Sequence, residues 1–133
     1  MNAYVEGGAG VRDNVPGGGS TWYPDYRAYF KESDLTAPAP AQMWLFLDEH
    51  PDSINDGWLE SNMDAIDKWQ DVPSCLHNNA CDFNFADGHS EVHKWLSLKH
   101  CLPVVYDNNT TGIPDPNSPD LRWLHAHTSV LVR

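Results

Sequence analysis

Basic residues are scarce in this chain: eight Lys and Arg face nineteen Asp and Glu, a formal charge of −11 over 133 residues. Nucleic acid and anionic membrane surfaces are poor partners for it, because their phosphates are repelled. Cations, basic protein patches and neutral polymers such as carbohydrate remain. Long apolar runs are missing as well; none approaches the roughly 18–20 residues needed to cross a bilayer. The opening Met1-Asn-Ala-Tyr-Val-Glu-Gly-Gly has neither the charged nor the apolar region of a signal peptide, so no export signal is read here. Cysteine is limited to Cys75, Cys81 and Cys101, with no Cys-x-x-Cys pair to make a zinc knuckle. Cys75 and Cys81 are close enough in sequence to bridge; one bridge with one thiol, or three thiols, both fit. No G-x-S-x-G elbow, no H-E-x-x-H and no internal repeat is present.

What is plentiful is aromatic. Six Trp, five Tyr and four Phe supply a modest core for one domain spanning residues 1–133. Residues 1–20 are Gly-rich and read as a flexible start. Tyr26, Tyr29 and Phe30 fit one face of a short helix. Gln42-Met-Trp-Leu-Phe-Leu47, bounded by Pro40 and an acidic cluster, reads as a central strand buried on both faces. Trp58 to Trp69 is irregular or helical, and Leu102 to Tyr106 reads as an edge strand. Residues 107–119 form a loop, and a closing helix follows with Ser118 or Asp120 near its N-cap. The fold class expected is α+β, with a small, mainly antiparallel sheet and long irregular loops.

The strongest local signal is a hairpin over residues 80–95, turning at Asp87-Gly88. A two-residue turn there places Ala86 opposite His89, Asn84 opposite Glu91 and Asp82 opposite His93. One face then holds Phe83 and Phe85 with Val92 and Ser90; the other collects Asp82, Asn84, His89, Glu91 and His93. His77 and Asp87 have the chemistry to fix this hairpin by bonding to each other.

Three chemistries compete for these residues. A metal set of Asp48, Glu49, His77, Asp87 and His89 mixes imidazole and carboxylate as zinc prefers, while its carboxylates alone would suit calcium. A hydrolase would draw an acid and a base or nucleophile from Glu49, Asp87, Glu91, His77 and His89. A carbohydrate-binding module would rest on Trp22, Trp58, Trp69, Trp95 and Trp123. Carboxylates abound here, so two near each other are cheap, and a non-enzyme is the reading preferred.

His77, nine intervening residues and then Asp87-Gly88 match an H-X9-DG signature. Phe85-Ala-Asp-Gly-His89 with Glu91 and Trp95, the run Phe46-Leu-Asp-Glu-His-Pro-Asp-Ser-Ile-Asn-Asp-Gly57, the opening Met1-Asn-Ala-Tyr, and Asp120-Leu-Arg-Trp-Leu124 with Thr128-Ser129 extend the match. Together they resemble the type II secretion pseudopilin-like proteins with a prepilin-type H-X9-DG C-terminal domain, numerous in Planctomycetes and Verrucomicrobia. The resemblance implies a pilin-like globular head with a structural and interaction role, whose partners are other pilin-like or secretion-system proteins. The family's leader and long apolar helix are not among these residues, so a head without its helix is expected. In the parent protein that head would face the periplasm or exterior, where a Cys75–Cys81 bridge could persist. Calcium in several pseudopilin heads makes a bound cation part of what the resemblance implies.

Overall fold

A computed structural model describes residues 1–5 and 23–132. The expectation of a flexible Gly-rich start falls mostly outside these residues. The elements are β1 (Trp44–Leu47), β2 (Lys68–Trp69), β3 (Ala80–Phe85), β4 (Ser90–Lys94), β5 (Ile113–Pro114) and α1 (Pro119–Ala126). An antiparallel sheet of order β1-β3-β4 and a small β2-β5 ladder carry the fold, joined by long irregular connections. The α+β expectation holds.

β3 is a strand because it alternates. Cys81, Phe83 and Phe85 point into the core, while Asn84 faces water and Asp82 is half-buried. Their inward row packs with Trp44, Trp69, Trp95, Leu121 and Leu124 in the main core cluster. A second cluster of Tyr4, Tyr29, Met43 and Met63 lies alongside. α1 starts where Ser118 Oγ accepts from the Leu121 amide at 3.3 Å, with Pro119 in the first turn.

The hairpin forms, but its register differs by one residue from the expected one. Gly88 N–H donates to Phe85 O at 3.0 Å, and Phe85 N–H to His89 O at 2.9 Å. The loop is therefore three residues, Ala86-Asp87-Gly88, closed by Gly88 at φ 91°. Asn84 faces Ser90, Phe83 faces Glu91, Asp82 faces Val92 and Cys81 faces His93. One residue of slip turns β4 over. The polar face expected of Asp82, Asn84, His89, Glu91 and His93 is split: the last three join the Phe83 side, and Val92 is left 64 % exposed.

Four other expectations are corrected. The run 42–47 is not central: strand β1 begins only at Trp44, lies at the sheet's edge, and leaves Phe46 51 % exposed after a bulge. The central place belongs to β3, which has a partner on each side. Tyr26 and Tyr29 are not helical; they make isolated bridges to Leu131 and Val5. Residues 102–106 make no strand, whereas Trp58 to Trp69 is irregular, one of its two expected forms, and ends in β2. Finally, the disulfide joins Cys75 to Cys101, with Cα atoms 5.4 Å apart. Cys81 cannot compete for Cys75, because the pleat of β3 drives its thiol into the core, 3.3 Å from Asp48 O.

Buried polar groups pin the long loops. Asp52 accepts from the amides of Val105 (2.7 Å) and Asp107 (3.0 Å). His50 Nδ1 accepts from the Asp52 amide, which leaves Nε2–H to donate to Leu102 O at 2.9 Å. Asp120 takes the amides of Leu96 and Ser97. Asn2 donates to Trp44 O at 3.0 Å and Thr128 O at 3.3 Å, tying the first residues to the end of the chain.

Candidate functional site

The strand pairing decides which acidic groups meet. Leu47 lies opposite Phe83, so Asp48 leaves the end of β1 beside Asp82 of β3. The Asn78-Asn79 turn, both residues at positive φ, brings His77 back over the same spot. His77 Nε2 lies 3.0 Å from Asp48 Oδ2 and 3.7 Å from Asp82 Oδ2. One ligand atom from each lies within 4.8 Å of the other two. All three side chains are about half-exposed, and Asp48 and Asp82 line an open depression of about 500 Å³ together with Asn84, Ser90, Glu91 and Val92.

Of the expected metal set, Asp48 and His77 come together and Asp82 completes them. Its signal was the outward position in β3, readable only with the β1–β3 register. Asp87 and His89 sit at the hairpin tip and bond to each other at 2.5 Å, with Asp87 Oδ1 also accepting the His89 amide. Those two bonds from His89 hold the Asp87 carboxyl below its usual range. The expected His77–Asp87 bond is therefore replaced by two separate pairs. A second group, Cys75, His100 and Cys101, has its sulfurs joined in the disulfide, so it offers no thiolates.

Glu49, next to Asp48 in sequence, belongs to another environment. Burial pushes its carboxyl up to about 7, partly offset by a hydrogen bond from Ser53 and helped by the charges of Asp71 and Asp56. Its Oε1 is buried without a hydrogen-bond partner. Burial likewise raises Asp71 to about 6, although the Glu60 amide donates to it at 2.6 Å. Glu60 also accepts the Tyr23 hydroxyl. Glu91 is exposed on β4, across β3 from the β1 end where Glu49 sits. Two strand spacings, about 10 Å, separate those lines of chain. The five hydrolase candidates thus fall into four places.

The tryptophans expected of a sugar platform are mostly spent on packing. Trp69 and Trp95 are buried, and Trp123 stacks with His93 (3.8 Å) and His127 (4.3 Å). Trp22 lies outside the described residues. Trp58 is half-buried beside Asn55, Asp56, Gln70 and Asp71.

Chemically, one imidazole nitrogen and two carboxylates converging from two strands and a turn can share a divalent cation, with solvent filling the open positions. No helix among the described residues is long and apolar enough to cross a membrane. The Cys75–Cys101 disulfide is consistent with an oxidising compartment. Compared with known proteins, the chain matches no family model, no curated protein and no solved structure.

Proposed function

We propose that this chain is the globular head of a pilin-like protein of a type II secretion or filament-like system, acting by structure and interaction in the periplasm or outside the cell. A divalent cation held by Asp48, His77 and Asp82 would lock the end of β1 to the start of the hairpin. The observation that carries this reading is the meeting of the two segments on which the family resemblance rests. His77 opens the H-X9-DG run, and Asp48 heads Asp-Glu-His-Pro-Asp-Ser; they lie 3.0 Å apart. Three other residues of the two runs have structural duties. Asp87 caps the turn, while His50 and Asp52 hold the 102–107 loop.

One nitrogen and two carboxylate oxygens, open to solvent, suit zinc or a similar transition metal better than calcium, which takes six to eight oxygens. The neighbours expected are other pilin-like or secretion-system proteins. Two measurements test the reading. The DNA upstream of the Met1 codon is expected to encode, in frame, a prepilin-type cleavage site and a long apolar helix. Their absence would remove the pilin parentage. Melting in chelator, zinc or calcium is expected to show stabilisation by zinc, about 2.7 kcal/mol at a hundredfold excess over Kd. That gain should vanish in Asp48→Asn and Asp82→Asn; equal melting in all conditions would remove the cation.

A second reading, a small hydrolase acting on glycoside, ester or lactone bonds, has one observation in its favour. Glu49, poised near 7, has the pKa of a general acid. Chromogenic substrates turned over by the wild type and not by a folded Glu49→Gln variant would establish it.

A further inference from the structure

The return of the chain towards Cys101 buries one imidazole completely and gives it almost nothing to bond. His100 packs against Trp69 and Trp95, with ring centroids 4.1 and 4.9 Å away, and none of it reaches solvent. Its Nδ1 has no hydrogen-bond partner, and its Nε2 faces only the Cys101 sulfur, at 4.0 Å. Sulfur is a weak acceptor, and a buried polar group without a partner is costly. Burial also holds the ring neutral, its pKa pushed down to about 4 against the charges of Asp120 and Asp115, so a nitrogen lone pair is present throughout the neutral range.

One ligand atom each from Cys75, His100 and Cys101 lies within 4.8 Å of the other two. Both cysteines are partly exposed, whereas Cys81 is turned into the core towards Asp48 O. Every chain is made with these cysteines as thiols, before an oxidant joins them. Unjoined, the two sulfurs part to van der Waals contact, close to the roughly 3.8 Å between two thiolates on a tetrahedral zinc. The 4.0 Å from Nε2 to the Cys101 sulfur is likewise close to the roughly 3.5 Å that such a zinc needs.

We propose that in the dithiol state Cys75, Cys101 and His100 form a zinc site, so that the same place in the fold holds first a metal and then a disulfide. Two thiolates and one imidazole suit zinc and reject hard cations such as calcium. Solvent supplies the fourth ligand from the exposed side of the two cysteines. As the two Zn–S bonds form, the two thiol protons are released. Conversion to the bridge needs a disulfide oxidant. Its S–S bond breaks as it takes two electrons from the thiolates and two protons from solution, the Cys75–Cys101 bond forms, and Zn²⁺ leaves. Zinc thus closes the loop that carries the β3–β4 hairpin before oxidation does. The inference is independent of the pilin reading and of the Asp48, His77 and Asp82 group, which contains no sulfur.

Cobalt(II), whose thiolate complexes show a near-ultraviolet charge-transfer band, tests it. The full chain carrying Asp48→Asn and Asp82→Asn, so that the exposed group takes no metal, is reduced with a phosphine and titrated under nitrogen. The band is expected to saturate at equimolar cobalt and to be bleached by zinc, and the bridged chain should show none. Reduced Cys75→Ser and Cys101→Ser chains should lose it, whereas Cys81→Ser keeps it. His100→Phe preserves a ring against Trp69 and Trp95 but removes the nitrogen, and should weaken cobalt binding about tenfold or more. Oxidised glutathione added to the zinc form should release zinc to a chromogenic indicator in step with bridge formation. No band in the reduced chain would overturn the proposal. So would a band that Cys81→Ser abolishes, that folded His100→Phe leaves at full affinity, or that is equally strong in urea, where it would come from thiols of an unfolded chain.

Discussion

Breaking the Cys75–Cys101 bridge is expected to lower stability by about 3.5 kcal/mol at 25 °C. The bridge closes a loop of 26 residues that contains the whole β3–β4 hairpin. Loop-closure entropy for that length gives about 3.5 kcal/mol. A domain of this size has only about 5–15 kcal/mol in all, so the loss is large. The surroundings raise the stakes. His100 packs on Trp69 with ring centroids 4.1 Å apart, and Trp95 Nε1 donates to Ser74 O beside Cys75. Urea unfolding followed by tryptophan emission, with and without a phosphine reductant, measures the effect, and Cys75→Ser/Cys101→Ser provides a reagent-free check. The urea midpoint should drop in both cases, with a steeper slope because the unfolded chain loses its cross-link, while the buried Cys81 thiol resists alkylation until unfolding. A loss below about 1 kcal/mol, or peptide mapping that finds Cys75 joined to Cys81, would refute the reasoning.

Glu49 sets a slope in the neutral range. Its folded pKa near 7 lies above the ordinary 4.5, so the folded state holds this proton more tightly than the unfolded one. Stability therefore falls as pH rises from about 4.5 to 7. Glu49→Gln should flatten that slope and gain about 1–2 kcal/mol at pH 8, the full shift being discounted because the side chain is partly solvated; thermal melts across pH read it. Asp52 works in the opposite sense. Burial opposes its charge, but the amides of Val105, Asp107 and Tyr106 outweigh it and hold its pKa down. Its contribution is lost as pH falls through that lowered value, so Asp52→Asn should weaken the acid dependence and open the 102–110 segment to limited proteolysis. Ser118→Ala removes the α1 cap and should cost about 1 kcal/mol in urea unfolding.

The parts legible in the sequence were those set by neighbours along the chain. Ser118-Pro119 announces α1, and the alternation through Ala80–Phe85 announces β3. The hairpin was legible, its register less so. Asp87-Gly88 serves both a two-residue turn and the last two positions of a three-residue loop, and nothing local decides between them. That single ambiguity reassigned His89, Glu91 and His93 to the other face. β1 misled for a related reason: an apolar run looks the same whether its outer face is covered or bare, and Phe46 is bare. The candidate cation site was half legible. Asp48 and His77 stand out by type, whereas Asp82 joins them only through the pairing of Leu47 with Phe83, a contact of long sequence separation. The disulfide depended on where residues 96–101 return, which no spacing reveals.

A cut at Asp87-Gly88, an exposed loop tip flanked by a paired ladder, would leave both halves of the divided hairpin on one covalent body, because Cys75 and Cys101 are joined across it. The same tip would accept an inserted peptide and display it on the side of the sheet where β3 turns into β4.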